Sequence, residues 1–201
     1  MNQSLCDIYQ DLIQQYQVST QGEIVTEFCD KGTVHSYIDF YDREFAPLRS
    51  QVNMLEIGLM TGASLLLWSR YFDQYTLTGV DLRAGWNQPR PWHTEIENNP
   101  EITVLFGIDS RLRPPRLNEP FDVILDDGAH DWQSQMQTFA RYWPLLRPGG
   151  NYYIEDVESD ISMATLKYNI AKHASDLRFD VHVGRKNGRI DDQILVVRKK
   201  P

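Results

Sequence analysis

Cysteine is scarce in this chain: Cys6 and Cys29 are the only two among 201 residues, and they stand far apart. That excludes a disulfide framework and a C-x-x-C zinc site, and a reducing cytoplasm is the expected compartment. Long apolar runs are also missing, since no stretch approaches the ~18 residues of a membrane span. The opening MNQSLCDIYQDLI lacks the basic segment and apolar core of a signal peptide, so none is expected. Positive charge is in short supply, with 20 Lys and Arg against 28 Asp and Glu, a net charge of −8. Scattered basic residues make no concentrated patch, so neither nucleic acid nor a membrane is expected as a partner. What remains is the composition of an ordinary folded chain, 41% hydrophobic and 24% charged, long enough for one α/β domain and short for two.

The hydrophobic pattern supplies the organisation. Leu5, Ile8, Tyr9, Leu12, Ile13 and Tyr16 form one helical stripe, with Ser4 as its N-cap and Asp7 in its first turn. A second amphipathic stretch runs from Ser36 to Leu48. Alternation follows: strands at 52–58, 76–82, 102–107, 121–127 and 151–157, with helices at 63–72 and 161–173 and another in which Trp132, Met136, Phe139 and Trp143 share a face. The last two strands flank the turn 185–192, which is hairpin chemistry and predicts an antiparallel pair. The expectation is an α/β, Rossmann-like sandwich: a mostly parallel seven-stranded sheet with one antiparallel strand and helices on both faces. Residues 1–50 are read as a helical extension and 51–201 as the catalytic domain.

In such sheets ligands bind at the carboxyl ends of the strands, near the point where strand order reverses. Those ends are acidic here. The first carries Glu56-Ile57-Gly58-Leu59-Met60-Thr61-Gly62, with Ser64 opening the next helix. Its glycines let the backbone pass close to a ligand, but it is neither G-x-G-x-x-G nor a P-loop. Glu56 argues against a phosphate and suits a cationic ligand. Asp81 closes the second strand, where a carboxylate can accept both hydroxyls of a ribose, and Asp109 with Ser110 follows the third. An acidic glycine loop followed by a ribose-binding acid resembles the class I S-adenosylmethionine-dependent methyltransferases.

The fourth and fifth strand ends carry Asp126-Asp127-Gly128-Ala129-His130 and Ile154-Glu155-Asp156. On neighbouring strands these carboxylates converge, and three acids so close repel unless a cation sits among them. Asp127, Glu155 and Asp156 offer hard oxygen ligands suited to Mg²⁺. Asp127 also reaches the cofactor side. His130, read as opening the next helix, is expected to stay neutral and act as a general base.

Together with Asp30-Lys31-Gly32 and Phe40-Tyr41-Asp42-Arg43-Glu44-Phe45, these motifs resemble the metal-dependent sugar O-methyltransferases of natural-product biosynthesis. The macrocin, mycinamicin and rhamnosyl O-methyltransferases are of that kind, and cephalosporin hydroxylase-like proteins share the metal motif. The resemblance runs from about Asp30 to Lys199, with Ala129 standing where the family has Ser. It implies S-adenosylmethionine and Mg²⁺ as cofactors, Asp127, Glu155 and Asp156 as metal ligands, and His130 as the base that takes a proton from a substrate hydroxyl. The implied partner is a hydroxylated or glycosylated small molecule. Two other readings stay open: a non-catalytic cofactor-binding partner of a biosynthetic complex, and a hydroxylase-type redox protein. The aromatic residues Tyr37, Tyr41, Trp86 and Trp92 and the N-terminal helix offer more aromatic surface than one small sheet covers, so a homo-oligomer is expected.

Overall fold

The computed structural model describes residues 3–16, 28–86, 89–112, 115–117 and 120–201. It opens with helix α1 (Leu5–Tyr16), capped reciprocally: the Asp7 N–H donates to Ser4 Oγ (3.1 Å) and the Ser4 N–H to Asp7 Oδ2 (3.2 Å). A single turn α2 (Asp30–Thr33) and helix α3 (Ile38–Phe45) follow. The amphipathic stretch tightens at Ala46 into a 3₁₀ turn, because Pro47 has no N–H to continue the α-helical ladder.

Strand and helix then alternate through β1 (Val52–Ile57), α4 (Ala63–Tyr71), β2 (Tyr75–Asp81), α5 (His93–Glu97), β3 (Ile102–Phe106), β4 (Phe121–Asp126), α6 (Trp132–Tyr142), β5 (Leu146–Ile154), α7 (Asp160–His173), β6 (Leu177–Val183) and β7 (Gln193–Lys199). The sheet has seven strands in the order β3-β2-β1-β4-β5-β7-β6. β7 runs antiparallel to both its neighbours, and the β6/β7 pair is the expected hairpin. Strand order reverses between β1 and β4, whose register pairs Ile57 with Asp126, while Asp126 pairs with Ile154 on β5. Gly58, Asp127 and Glu155 therefore leave the sheet side by side.

Both sheet faces are covered, as the strongly apolar strands require. Met54, Leu77, Val123, Leu125 and Tyr153 pack with α1, α3 and α4 on one face. Their neighbours Leu55, Val80, Ile124, Tyr152 and Ile154 pack with α6 and α7 on the other. Burying a side chain of this size stabilises by roughly 1.5–3 kcal/mol. The aromatic residues that suggested an oligomer are accounted for within the chain. Tyr37, Tyr41 and Trp92 are fully buried in the first of these cores, and Trp86 stacks on His93 with ring centroids 4.2 Å apart. The aromatic argument for a homo-oligomer therefore falls away. Among the described residues no helix is long and apolar enough to cross a membrane.

Candidate active site

The loop between β1 and α4 turns on three left-handed residues, Gly58 (φ 85°), Met60 (φ 48°) and Gly62 (φ 73°). Gly58 has no alternative, since a Cβ there would run into the Asp127 carbonyl. Asp81 holds the loop in place. Its Oδ2 accepts from the Leu59 N–H (2.9 Å) and more weakly from the Met60 N–H (3.3 Å), and its Oδ1 from the Arg83 N–H (2.9 Å). From the far side, the Trp92 indole N–H and His93 Nε2 both meet the Thr61 carbonyl, at 2.8 and 2.9 Å.

Above this loop lies a cavity of about 490 Å³, walled by Gly58, Asp81, Asp109, Ser110, Asp127 and His130 among others. Five of the residues singled out for cofactor binding thus share one hollow. Three do not line it. Gly62 faces the Trp86 ring, 2.6 Å from where its Cβ would be. Ser64 borders a small adjoining hollow with Lys31 and Thr61. Glu56 is fully buried beneath the loop, where the Trp68 indole N–H donates to Oε2 at 3.2 Å. Burial pushes its carboxyl up to about 7, against the pull of Lys31. Asp109 is engaged by Arg111 (2.8 Å) and Ser110 by Thr138 (3.0 Å) at the cavity wall.

At the ends of β4 and β5 the acids converge. Ligand atoms of Asp127, His130 and Asp156 lie within 4.8 Å of one another. His130 Nε2 stands 3.6 Å from Asp127 Oδ1 and 3.7 Å from Asp156 Oδ2. Glu155 is engaged by other groups: Lys31 Nζ donates to its Oε2 (2.5 Å) and the Tyr41 hydroxyl to its Oε1. The same ammonium donates to Asp127 Oδ2 (2.7 Å). Asp156 sits in the left-handed region (φ 52°), held by the Tyr37 hydroxyl on Oδ1 (2.7 Å) with His35 Nε2 3.4 Å from Oδ2. Such a conformation costs about 1–3 kcal/mol and persists only where its surroundings enforce it.

The helix beyond begins later than the sequence suggested. Asp131 is the N-cap, accepting from the Ser134 N–H (2.9 Å), so His130 precedes α6. The acids around His130 also oppose the expected neutral ring. The Asp127 carboxylate 3.6 Å away outweighs burial and, with Asp156, raises His130 to about 9. Against the penalty of burial, Lys31 and His130 hold Asp127 down to about 2. Burial lifts Asp126 to about 7. Lys31, Tyr37, Tyr41 and His35 are site residues to which the sequence reading gave no role at the site, although Lys31 and Tyr41 stand in the motifs that carry the resemblance. A further signal was electrostatic, because so many converging acids demand internal positive charge.

A parallel sheet reversing at β1/β4, with one antiparallel strand and a glycine loop beneath an acid-rimmed cavity, defines a Rossmann-like methyltransferase fold. The chain belongs to the methyltransferase-domain family, whose model matches residues 55–157. It is 31% identical over 140 residues to 8-demethyl-8-alpha-L-rhamnosyl tetracenomycin-C 2'-O-methyltransferase of Streptomyces olivaceus, covering 65% of this chain and 35% of that protein. It is 35% identical over 136 residues to L-olivosyl-oleandolide 3-O-methyltransferase of Streptomyces antibioticus, covering 62% and 33%. The chain thus spans about a third of the length of these curated relatives. Among solved structures it shares its fold with the MycE methyltransferase of the mycinamycin pathway, a complex with Mg and SAH, at a TM-score of 0.70 and 22% identity over 100% of this chain and 56% of that one.

Proposed function

We propose that this protein is an S-adenosylmethionine- and Mg²⁺-dependent O-methyltransferase acting on a hydroxyl of a sugar or other polyhydroxylated small molecule. One observation carries the reading: Asp127, His130 and Asp156 converge beside the cavity that Gly58 and Asp81 also wall. The named relatives, all O-methyltransferases of glycosylated natural products, support the substrate class. The donor set fits a hard divalent cation, since Asp127 and Asp156 present carboxylate oxygens within 4.8 Å of each other. Both residues would hold the ion, and Glu155 could join them only by giving up Lys31.

The cofactor, when bound, supplies an electrophilic methyl group, and the cation lowers the pKa of a substrate hydroxyl. Gly58 admits the cofactor close to the backbone. Asp81, already aligned by three backbone N–H groups, offers its remaining lone pairs to a ribose. His130, with its side chain partly open to the cavity mouth, would take the hydroxyl proton on Nε2. It can do so only once its two carboxylate neighbours are neutralised from another side, because they otherwise keep it protonated.

The test is transfer of a labelled methyl group from S-adenosylmethionine to a pool of glycosylated acceptors. Transfer that stops in EDTA and returns with Mg²⁺ is the expected result. Transfer that persists in EDTA removes the cation, and none to any hydroxylated acceptor removes the substrate class.

A further inference from the structure

Lys31 has no catalytic role in the reading above, yet it stands at the centre of the charge cluster. It is 1% exposed. Its ammonium donates to Asp127 Oδ2 and Glu155 Oε2, and lies 3.8 Å from Glu56 Oε1. That Glu56 oxygen has no hydrogen-bond partner among the described residues. One ammonium therefore serves two buried carboxylates, Glu56 on β1 and Glu155 at the end of β5, and the partly exposed Asp127 at the end of β4.

Asp127 is shared between two claims. Its Oδ2 is taken by Lys31, while its Oδ1 faces His130 and the candidate cation position. Glu155 is next to Asp156 in sequence, but both its oxygens are spent on Lys31 and Tyr41. An ammonium and a divalent ion drawing on the same carboxylates at near contact repel each other, so tighter binding of one weakens the other.

We propose that Lys31 is a positioning residue, an internal counter-ion that competes with the divalent cation for Asp127 and Glu155. It withholds Glu155 from the ion and keeps the ion loosely held, with coordination positions left for substrate oxygens. The proposal rests on the cation reading above.

The experiment titrates Mn²⁺ into the full chain freed of metal, following free Mn²⁺ by electron paramagnetic resonance. The wild type takes up one ion. Lys31→Met and Lys31→Gln bind it at least about tenfold more tightly, the factor that ~1.4 kcal/mol of relieved repulsion produces. Adding Glu155→Gln to either variant removes the gain. A lysine acting only as a prop would do the reverse: its loss would loosen the carboxylates and weaken binding, and the Gln amide, which still donates to both, would restore wild-type affinity. Circular dichroism in EDTA shows which variants fold, and Lys31→Gln keeps the test in force should the Met variant fail. Unchanged or weaker affinity in both, with the wild type binding, overturns the role of Lys31 and leaves the cation reading standing. No uptake by any of the chains overturns both.

Discussion

His130 is where the local electrostatics say most about the chemistry. A base must be unprotonated, yet the Asp127 and Asp156 carboxylates hold this ring up to about 9. Its proton affinity is thus set by neighbours that a cation would also claim, which couples the two parts of the proposed mechanism. His130→Ala should therefore leave cofactor binding intact and lower the rate by roughly 10²–10⁴-fold, the range for losing a general base. Calorimetry with S-adenosylmethionine and a turnover assay separate the two effects. A variant that turns over at the wild-type rate would remove His130 from the mechanism.

At the scale of elements, the site depends on the close approach of two strand ends. Gly58 leaves β1 against the Asp127 carbonyl at the end of β4, at φ 85°. Any side chain there both strains the backbone and forces the two ends apart. Gly58→Ala should lower stability by about 1–3 kcal/mol and abolish cofactor binding, because the loop and the acid rim would separate together. Urea unfolding and a cofactor titration measure the two. If the midpoint and the affinity both stayed at wild-type values, the contact would not matter. Gly62 answers a different need: its missing side chain makes room for Trp86, which closes the loop from outside.

For the whole molecule the buried acids impose a pH dependence. Burial raises Glu56 and Asp126 to about 7. Each keeps a proton in the folded state that the unfolded chain has released, so its contribution is complete below the ordinary carboxylate range and is lost as pH rises through about 7. His130 acts in the same direction. Its contribution is complete below an unfolded value of ~6.5 and lost through about 9. Asp127, held near 2, works oppositely but only in strong acid. The melting temperature in EDTA should therefore fall as pH is raised from about 6.5 to 9.5, above the interval in which the lowered His93 and His182 work the other way. A flat or rising curve over that interval would contradict this account of the buried acids.

The fold was legible in the sequence because period and punctuation are local properties. The stripe through Leu5, Ile8, Tyr9 and Leu12, the apolar strands ending in Gly58, Asp81 and Asp127, and the charged turn before β7 each declare themselves within a few residues. They also place Asp127 and Asp156 on adjacent strand ends. Side-chain partners were not legible in that way. Lys31 lies 96 residues from Asp127 and 124 from Glu155, and no pattern along the chain pairs groups over such a span. The same holds for Tyr37 on Asp156, for Tyr41 on Glu155, and for Glu56 turning beneath its loop rather than into the cavity. The sequence by itself determined which acids gather at the end of the sheet. Only the tertiary structure decided which of them stay free, because a buried charge takes whichever counter-charge packing brings to it.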